Sequence, residues 1–310
     1  MARPLDLTGW TPARLRLAPE PTVEWVYTGS IRFTDPFFDQ TLERAVRDPF
    51  SLLFRRRTGL DALRDWAEAS PGLRPAGFVT HMSRAGSTLV AQMLATCRRF
   101  LVLSEAGPLD AALRASASAP ADLVRWTFSA LAQPGAGETT AFVKLDSWSV
   151  LALPALEEAF PGTPWLFLYR NPAEVLASQL RRSGVHGVPG ALPPELFGLD
   201  RAELATTPRE EYLARVLARI CEAALEHTGN PNGVFVDYSD LPAFVLERLP
   251  GHFGLELSEE ERTVMAGAAQ LDAKNPSVPF DPAPTAPLSV EAHAAVERWL
   301  LPLYDRLRSC

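Results

Sequence analysis

The sequence predicts an α/β protein, three layers with a parallel sheet flanked by helices, carrying an N-terminal hairpin and helix extension and a helical C-terminus. Three observations predict it. From residue 77 onward, short β-branched and aromatic runs alternate with stretches of helical period, the pattern of parallel strands joined by crossover helices. The first of these runs, within 77–94, passes through a turn of small residues straight into an amphipathic pattern. The composition, 47% hydrophobic and 22% charged, excludes disorder as the main state, and 310 residues suffice for one large core. The expected organisation is a single domain over 1–310, with an extension at 1–76, a core at 77–245 and a helical part at 246–310.

Residues 1–22, rich in Pro and Arg, are expected to drape over the surface. The β-branched and aromatic stretch 23–33, with Thr28-Gly29 at its middle, signals a hairpin. Asp35-Pro36 then offers a cap and first-turn proline for a helix through Val46. A second helix spans 59–69, preceded by Arg55-Arg56-Arg57, which reads as a solvated basic face. Strands follow at 77–81, 100–103, 141–145, 165–169 and 234–237, separated by helices at 87–97, 121–132, 149–160, 172–182, 209–227 and 241–249. The Gly- and Pro-bearing stretch 183–207 has no periodicity, as in a lid or substrate loop. Helices at 258–271 and 289–307, joined by the Pro-rich run 275–287, complete the chain. In open α/β sheets ligands sit beyond the carboxyl ends of strands, which directs attention to Arg84, Glu105, Lys144 to Asp146, Arg170 and Asp237 to Asp240.

Charge and cysteine usage narrow the function classes. Thirty basic against 37 acidic side chains leave a net charge of −7, which gives no support to a nucleic-acid surface. Cys97, Cys221 and Cys310 are too scattered for a disulfide framework or a zinc site and suit a reducing compartment. The first residues have no apolar signal core and no run approaches a membrane span. The expectation is a soluble cytoplasmic chain with a small-molecule or peptide partner, no nucleic acid and no membrane contact; the oligomeric state is not legible.

Between the 77–81 strand and the helix beginning near Ser87, the turn Ser83-Arg84-Ala85-Gly86-Ser87-Thr88 is small enough for backbone N–H groups to converge on an anion. Arg84 adds a guanidinium that can grip a phosphate or sulfate with two parallel hydrogen bonds. A triphosphate loop requires Lys directly after its second Gly, whereas Ser87 follows Gly86 here. A second anion site is suggested downstream. After the 165–169 strand come Arg170-Asn171-Pro172, with Asn171 as cap, Pro172 in the first helical position and Glu174 placed as in a capping box. Arg170 is left at the strand end, and Ser178 lies two turns along on nearly the same face, so both can reach one anion.

Arg-Ala-Gly-Ser-Thr at 84–88 resembles the 5′-phosphosulfate loop of sulfotransferases that use 3′-phosphoadenosine 5′-phosphosulfate (PAPS). Arg-Asn-Pro with Ser eight residues after the Arg is similar to the 3′-phosphate motif of that family, and Asp237-Tyr238-Ser239-Asp240-Leu241 to its Tyr-Glu-Asp-Leu junction, with Ser239 in place of the acid. The resemblance covers about 77–245 and implies a P-loop-like fold and a sulfotransferase with PAPS as co-substrate and no metal. It implies donor contacts from Arg84, Ala85, Gly86, Ser87, Thr88, Arg170 and Ser178. Lys274, in a segment similar to the family's nucleotide-closing loop, joins them.

Sulfuryl transfer needs positioning and fixed positive charge, here Arg84, the 86–88 amides and Lys144 at a strand end where the family also carries Lys. An acceptor hydroxyl must also lose a proton. Glu105, just past the 100–103 strand, is the preferred base, as is a similarly spaced Glu in the tyrosylprotein branch. The cytosolic branch uses a His two residues after the Lys; that position is Asp146, which stays open as the alternative base. His81 reads as structural, and Trp126 and Trp148 as core or acceptor-pocket residues. Two other functions fit parts of the pattern: a metal-dependent small-molecule kinase with a divergent P-loop, and a nucleotide-binding protein without turnover.

Overall fold

The computed structural model describes residues 5–119, 122–135, 137–281 and 287–310. The N-terminal region begins with alternation. In β1, Trp10–Arg16, Trp10 and Leu15 point inward while Arg14 and Arg16 face solvent. It pairs antiparallel with β2, Thr22–Tyr27, and β3, Arg56–Thr58, adds to the other side of β2. The hairpin expected at 23–33 therefore forms earlier, at 10–27, and residues 10–16 do not drape over the surface. Pro12 is tolerated because the register shifts between Pro12 and Arg14. Thr28 and Gly29 instead donate their N–H groups back to the Gly9 carbonyl. The next helix is Phe38–Ala45, later than Asp35-Pro36 suggests, because the Asp35 carboxylate accepts from Thr41 Oγ1 at 2.6 Å and pairs with Arg44 at 3.1 Å. Helices Pro49–Leu53 and Leu60–Ala69 follow.

The main sheet consists of β4, Pro75–His81; β5, Phe100–Ser104; β6, Thr140–Lys144; β7, Trp165–Tyr169; and β8, Gly233–Asp237. It is parallel throughout, in the spatial order β5-β6-β4-β7-β8. Every residue of β5 and β7 is buried, as expected of strands covered on both faces. β4 lies between the two halves, so the chain leaves its carboxyl end for β5 and β6 on one side and later for β7 and β8 on the other. That is the switch point where a crevice opens. Helix Ser87–Ala95, buried almost all round, starts there.

Prolines account for most remaining departures from the expected helices. The helix expected at 149–160 is a 3-10 turn, Ser147–Ala152, followed by Leu153–Ala159 with Pro154 in its first turn. Pro242 and Pro250 divide 241–249 into Ala243–Glu247 and Leu249–His252. Pro302 lacks the N–H for the Arg298 carbonyl, and a π-turn, Val296–Leu300, separates Val290–Ala295 from Leu301–Leu307. Gly107–Arg114, a helix with Pro in its first turn, was not expected. The start of the helix expected at 121–132 and residues 282–286 of the Pro-rich run lie outside the described residues; within them the helix is Leu123–Leu131. Before 282, β9, Leu271–Asp272, and β10, Asn275–Pro279, form a small antiparallel hairpin where the end of a helix and a loop were expected.

Candidate active site at the carboxyl ends of the sheet

The turn after β4 is held in an unusual backbone. Ser83 has φ 81°, Arg84 φ 52° and Gly86 φ 87°. A left-handed conformation costs a side-chain-bearing residue about 1–2 kcal/mol, so two in succession persist only where surrounding bonds enforce them. Those bonds are present. The Ser83 N–H donates to His81 Nδ1 at 3.0 Å, which leaves the ring proton on Nε2 to meet the Leu145 carbonyl at 3.1 Å. Burial, and then the Lys144 charge, hold His81 well below its ordinary pKa, so the ring is neutral and structural, as expected. Gln179 Nε2 donates to Ser83 Oγ at 2.7 Å, and the Arg84 guanidinium donates to the Arg182 carbonyl. At Gly86 a Cβ would lie 2.5 Å from Leu241 Cδ1 and 3.0 Å from Tyr238, which brings the 237–241 motif into contact with the turn.

Adjacent strand ends bring Glu105 and Lys144 together. Ser104 of β5 is in register with Lys144 of β6, and the Glu105 N–H donates to the Lys144 carbonyl at 2.7 Å. Glu105, at φ 56°, turns its carboxylate back onto Lys144 Nζ. The Lys144 side chain is 1% exposed and its ammonium also lies 4.9 Å from the Phe37 ring. Glu105 caps no helix, since the following cap position is Ala106. Asp146 occupies the cap position of the 3-10 turn without accepting a cap bond from its side chain. Burial, with the Glu105 and Asp110 charges, pushes its carboxyl well above the usual carboxylate range.

Lys274 reaches this cluster from the β9–β10 hairpin, whose turn is set by Asp272 Oδ1 accepting from the Lys274 and Asn275 N–H groups at 2.9 and 2.8 Å. The residue as a whole is exposed. Desolvation first, then the Arg84 and Lys144 charges, bring its pKa down to about 8. Arg84 is shifted down by burial and by Arg182 and Arg181. After burial, neighbouring basic groups contribute to both shifts.

Arg170 follows β7, stacks over Tyr238 at 4.0 Å and holds Glu174 through Nε at 2.8 Å and through Nη2. Asn171 caps the Pro172–Arg181 helix by accepting from Ala173 N–H at 3.0 Å. The capping box expected of Glu174 does not form, because the guanidinium outcompetes a neutral backbone N–H for its carboxylate. Ser178 lies on the same helix, partly exposed, with no side-chain hydrogen bond among the described residues.

The residue that sequence reasoning missed is Gln179, fully buried. Its Oε1 accepts from Gly184 N–H at 2.9 Å, and its Nε2 donates also to His186 Nε2 at 3.1 Å. His186 is neutral, pushed down to about 4 by burial and the Arg84 charge, and packs beside Trp148, whose Nε1 donates to Asp110 at 2.7 Å. The 183–207 stretch is thus anchored at its root, and it buries Leu192, Phe197 and Leu199. A signal for Gln179 existed: it follows Val175 by four residues on the apolar face of its helix. Nothing comparable marks His186 or Phe37. Among the described residues, no group of three or more His, Cys, Asp or Glu side chains is placed to hold a metal ion. Open surface clefts of about 490 Å³, beside Thr228 and Cys310, and about 380 Å³, between Arg32 and Val264, lie outside this cluster.

No protein-family model matches the chain, and no curated protein matches it. Solved structures similar to it include sulfotransferase STF9 from Mycobacterium avium, 15% identical, covering 81% of each chain at a TM-score of 0.48. A sulfotransferase from Alicyclobacillus acidocaldarius is 12% identical, covering 76% of this chain and 95% of that one at 0.45. Mouse sulfotransferase SULT7A1, complexed with PAP, is 10% identical, covering 67% and 68% at 0.39.

Proposed function

We propose that the chain is a sulfotransferase that moves a sulfuryl group from PAPS to a hydroxyl or amine of a small-molecule or peptide acceptor. The observation that carries this is the positive crowd of Arg84, Lys144 and Lys274 around a strained turn at a helix start, with one carboxylate, Glu105, held among them. A 5′-phosphosulfate fits the turn: Arg84, the Ala85 to Thr88 segment and Lys274 hold it, and Gly86 leaves room for close approach. Arg170 and Ser178 take the 3′-phosphate, with Glu174 giving up its hold on the guanidinium. The donor supplies the sulfuryl group and a phosphate leaving group.

Lys144 places its ammonium against the negative charge that grows during transfer. As it turns to that charge it releases Glu105, whose carboxylate takes the acceptor proton while the acceptor oxygen bonds to sulfur and the sulfur–oxygen bond to the leaving phosphate breaks. Asp146, held above the ordinary carboxylate range, is the alternative base.

Calorimetry with 3′,5′-adenosine bisphosphate (PAP) and with AMP, followed by sulfation assays in EDTA on phenols, alcohols and amines, tests the proposal. PAP is expected to bind at least about tenfold better than AMP, one charge-assisted contact being worth about 1.5–3 kcal/mol. Equal affinities would reduce Arg170 to a helix-end residue. Tight PAP binding without transfer to any acceptor would indicate a nucleotide-binding protein. Turnover that requires added Mg²⁺ and ATP would indicate a kinase.

A further inference from the structure

The helix Pro49–Leu53 sits on the N-terminal sheet by one side only. Ser51 is buried and donates to the Tyr27 carbonyl at 3.1 Å, while Phe50 packs against Tyr27 and Trp10 with ring centroids 4.9 and 6.1 Å apart. The other side carries apolar residues into solvent: Leu52 is 57% exposed, Leu53 78% and Phe54 55%. A run of three such residues at one protrusion is unlike the scattered apolar exposure of an ordinary surface.

The sequence around it is basic although the whole chain carries −7, and Glu24, opposite Arg57 in the sheet, is paired with Arg16. Residues 43–57 contain five arginines against two acids. One acid, Asp48, is committed to capping the short helix. Arg44 is paired with Asp35. Arg47, Arg55, Arg56 and Arg57 make no ion pair within 4 Å among the described residues; Arg56 lies over Trp10 at 4.4 Å, and Arg57 donates to Thr22.

We infer that this protrusion docks on an anionic lipid surface, with Leu52, Leu53 and Phe54 entering the interface and Arg47, Arg55 and Arg57 meeting the headgroups. Long basic side chains that flank apolar ones suit such a boundary, where stems lie in the apolar layer and charges reach the polar one. A second copy of the chain fits worse. A twofold contact would set the same arginine rim against itself and repel. The inference is independent of the proposed chemistry, and it departs from the absence of membrane contact expected from composition, because an overall charge of −7 hides a local reversal of sign.

Co-sedimentation with vesicles of phosphatidylcholine alone, and of equal parts phosphatidylcholine and phosphatidylglycerol, is the test. Association is expected to be at least about tenfold stronger on the anionic vesicles. Leu53→Asp, and separately Arg55→Glu with Arg57→Glu, are each expected to weaken it about tenfold while melting and PAP binding stay unchanged, since all three side chains are exposed. Equal binding to both vesicle types, no binding to either, or full retention by Leu53→Asp would overturn the inference. So would a concentration-dependent dimer, in the absence of vesicles, that Leu53→Asp abolishes.

Discussion

Replacing Glu105 by Gln removes a charge from a nearly buried ion pair, and the geometry fixes what should follow. The Lys144 ammonium, on a side chain 1% exposed, loses its carboxylate and keeps the Phe37 ring and an amide oxygen. Removing one partner of a buried pair costs about 3–5 kcal/mol. A neutral acceptor retains roughly half of a charge-assisted bond, so the expected loss of stability for the unliganded protein is about 2 kcal/mol. Urea unfolding reads this as a lower midpoint at unchanged slope. Saturating PAP should close much of the gap, because the freed ammonium finds an anion, and PAP affinity should rise by up to about tenfold. Turnover should fall by about 10² to 10⁴, the usual worth of a positioned base. A variant as stable as the wild type would show that the pair does not hold in solution. One that is destabilised yet fully active, while Asp146→Asn is inactive, would make Asp146 the base.

Three further outcomes are expected. Glu174→Gln frees the Arg170 guanidinium and should raise PAP affinity about threefold to tenfold in calorimetry while leaving AMP affinity unchanged; an equal gain for both ligands would show that Glu174 acts on general charge and not through Arg170. Lys274, with its folded pKa near 8 against an ordinary 10.5, weighs on the unliganded fold fully below about pH 8, and that penalty is relieved as pH rises from there to 10.5. Lys274→Met should therefore raise the melting temperature at neutral pH, with the gain shrinking toward pH 10.5, and should flatten the loss of PAP affinity expected of the wild type above pH 8. Gly86→Ala combines a left-handed φ of 87° with a Cβ 2.5 Å from Leu241, for about 2–5 kcal/mol of destabilisation in urea titration; near-wild-type stability would mean that the turn has another conformation.

The core of the fold was legible because its signals are local. β7 falls on the expected 165–169, and the other four parallel strands differ from expectation by one or two residues at their ends. What failed depended on context. Pro12 and two outward arginines masked β1, whose inward residues match a partner that begins ten positions beyond Pro12. Prolines 154, 242 and 302 were absorbed into continuous helical periods that their missing N–H groups interrupt. In the candidate site, strand ends were enough to put Glu105 and Lys144 at the same edge of the sheet. The sequence could not show that the two would bind each other, since that follows from the Ser104–Lys144 register and the left-handed turn at Glu105. Phe37 and Asp146 illustrate the same limit: a ring from the extension meets the Lys144 ammonium, and a carboxyl loses its ordinary acidity through burial and then through Glu105 and Asp110, 41 and 36 residues away.

Gln179 gives the molecule a division of labour between two kinds of sequence change. One amide ties Ser83 of the anion turn to Gly184 and His186, so the root of the 183–207 segment and the turn form one mechanical piece. Downstream of Gly187 that tie ends, and residues 188–207 are held instead by Leu192, Phe197 and Leu199, which are buried in the main core. Diversification of 188–207 can then proceed without touching the bonds that shape the turn, whereas any exchange at 179, 184 or 186 is transmitted to Ser83. A library confined to 188–207 would vary that segment and leave the bonds to Ser83 as they are.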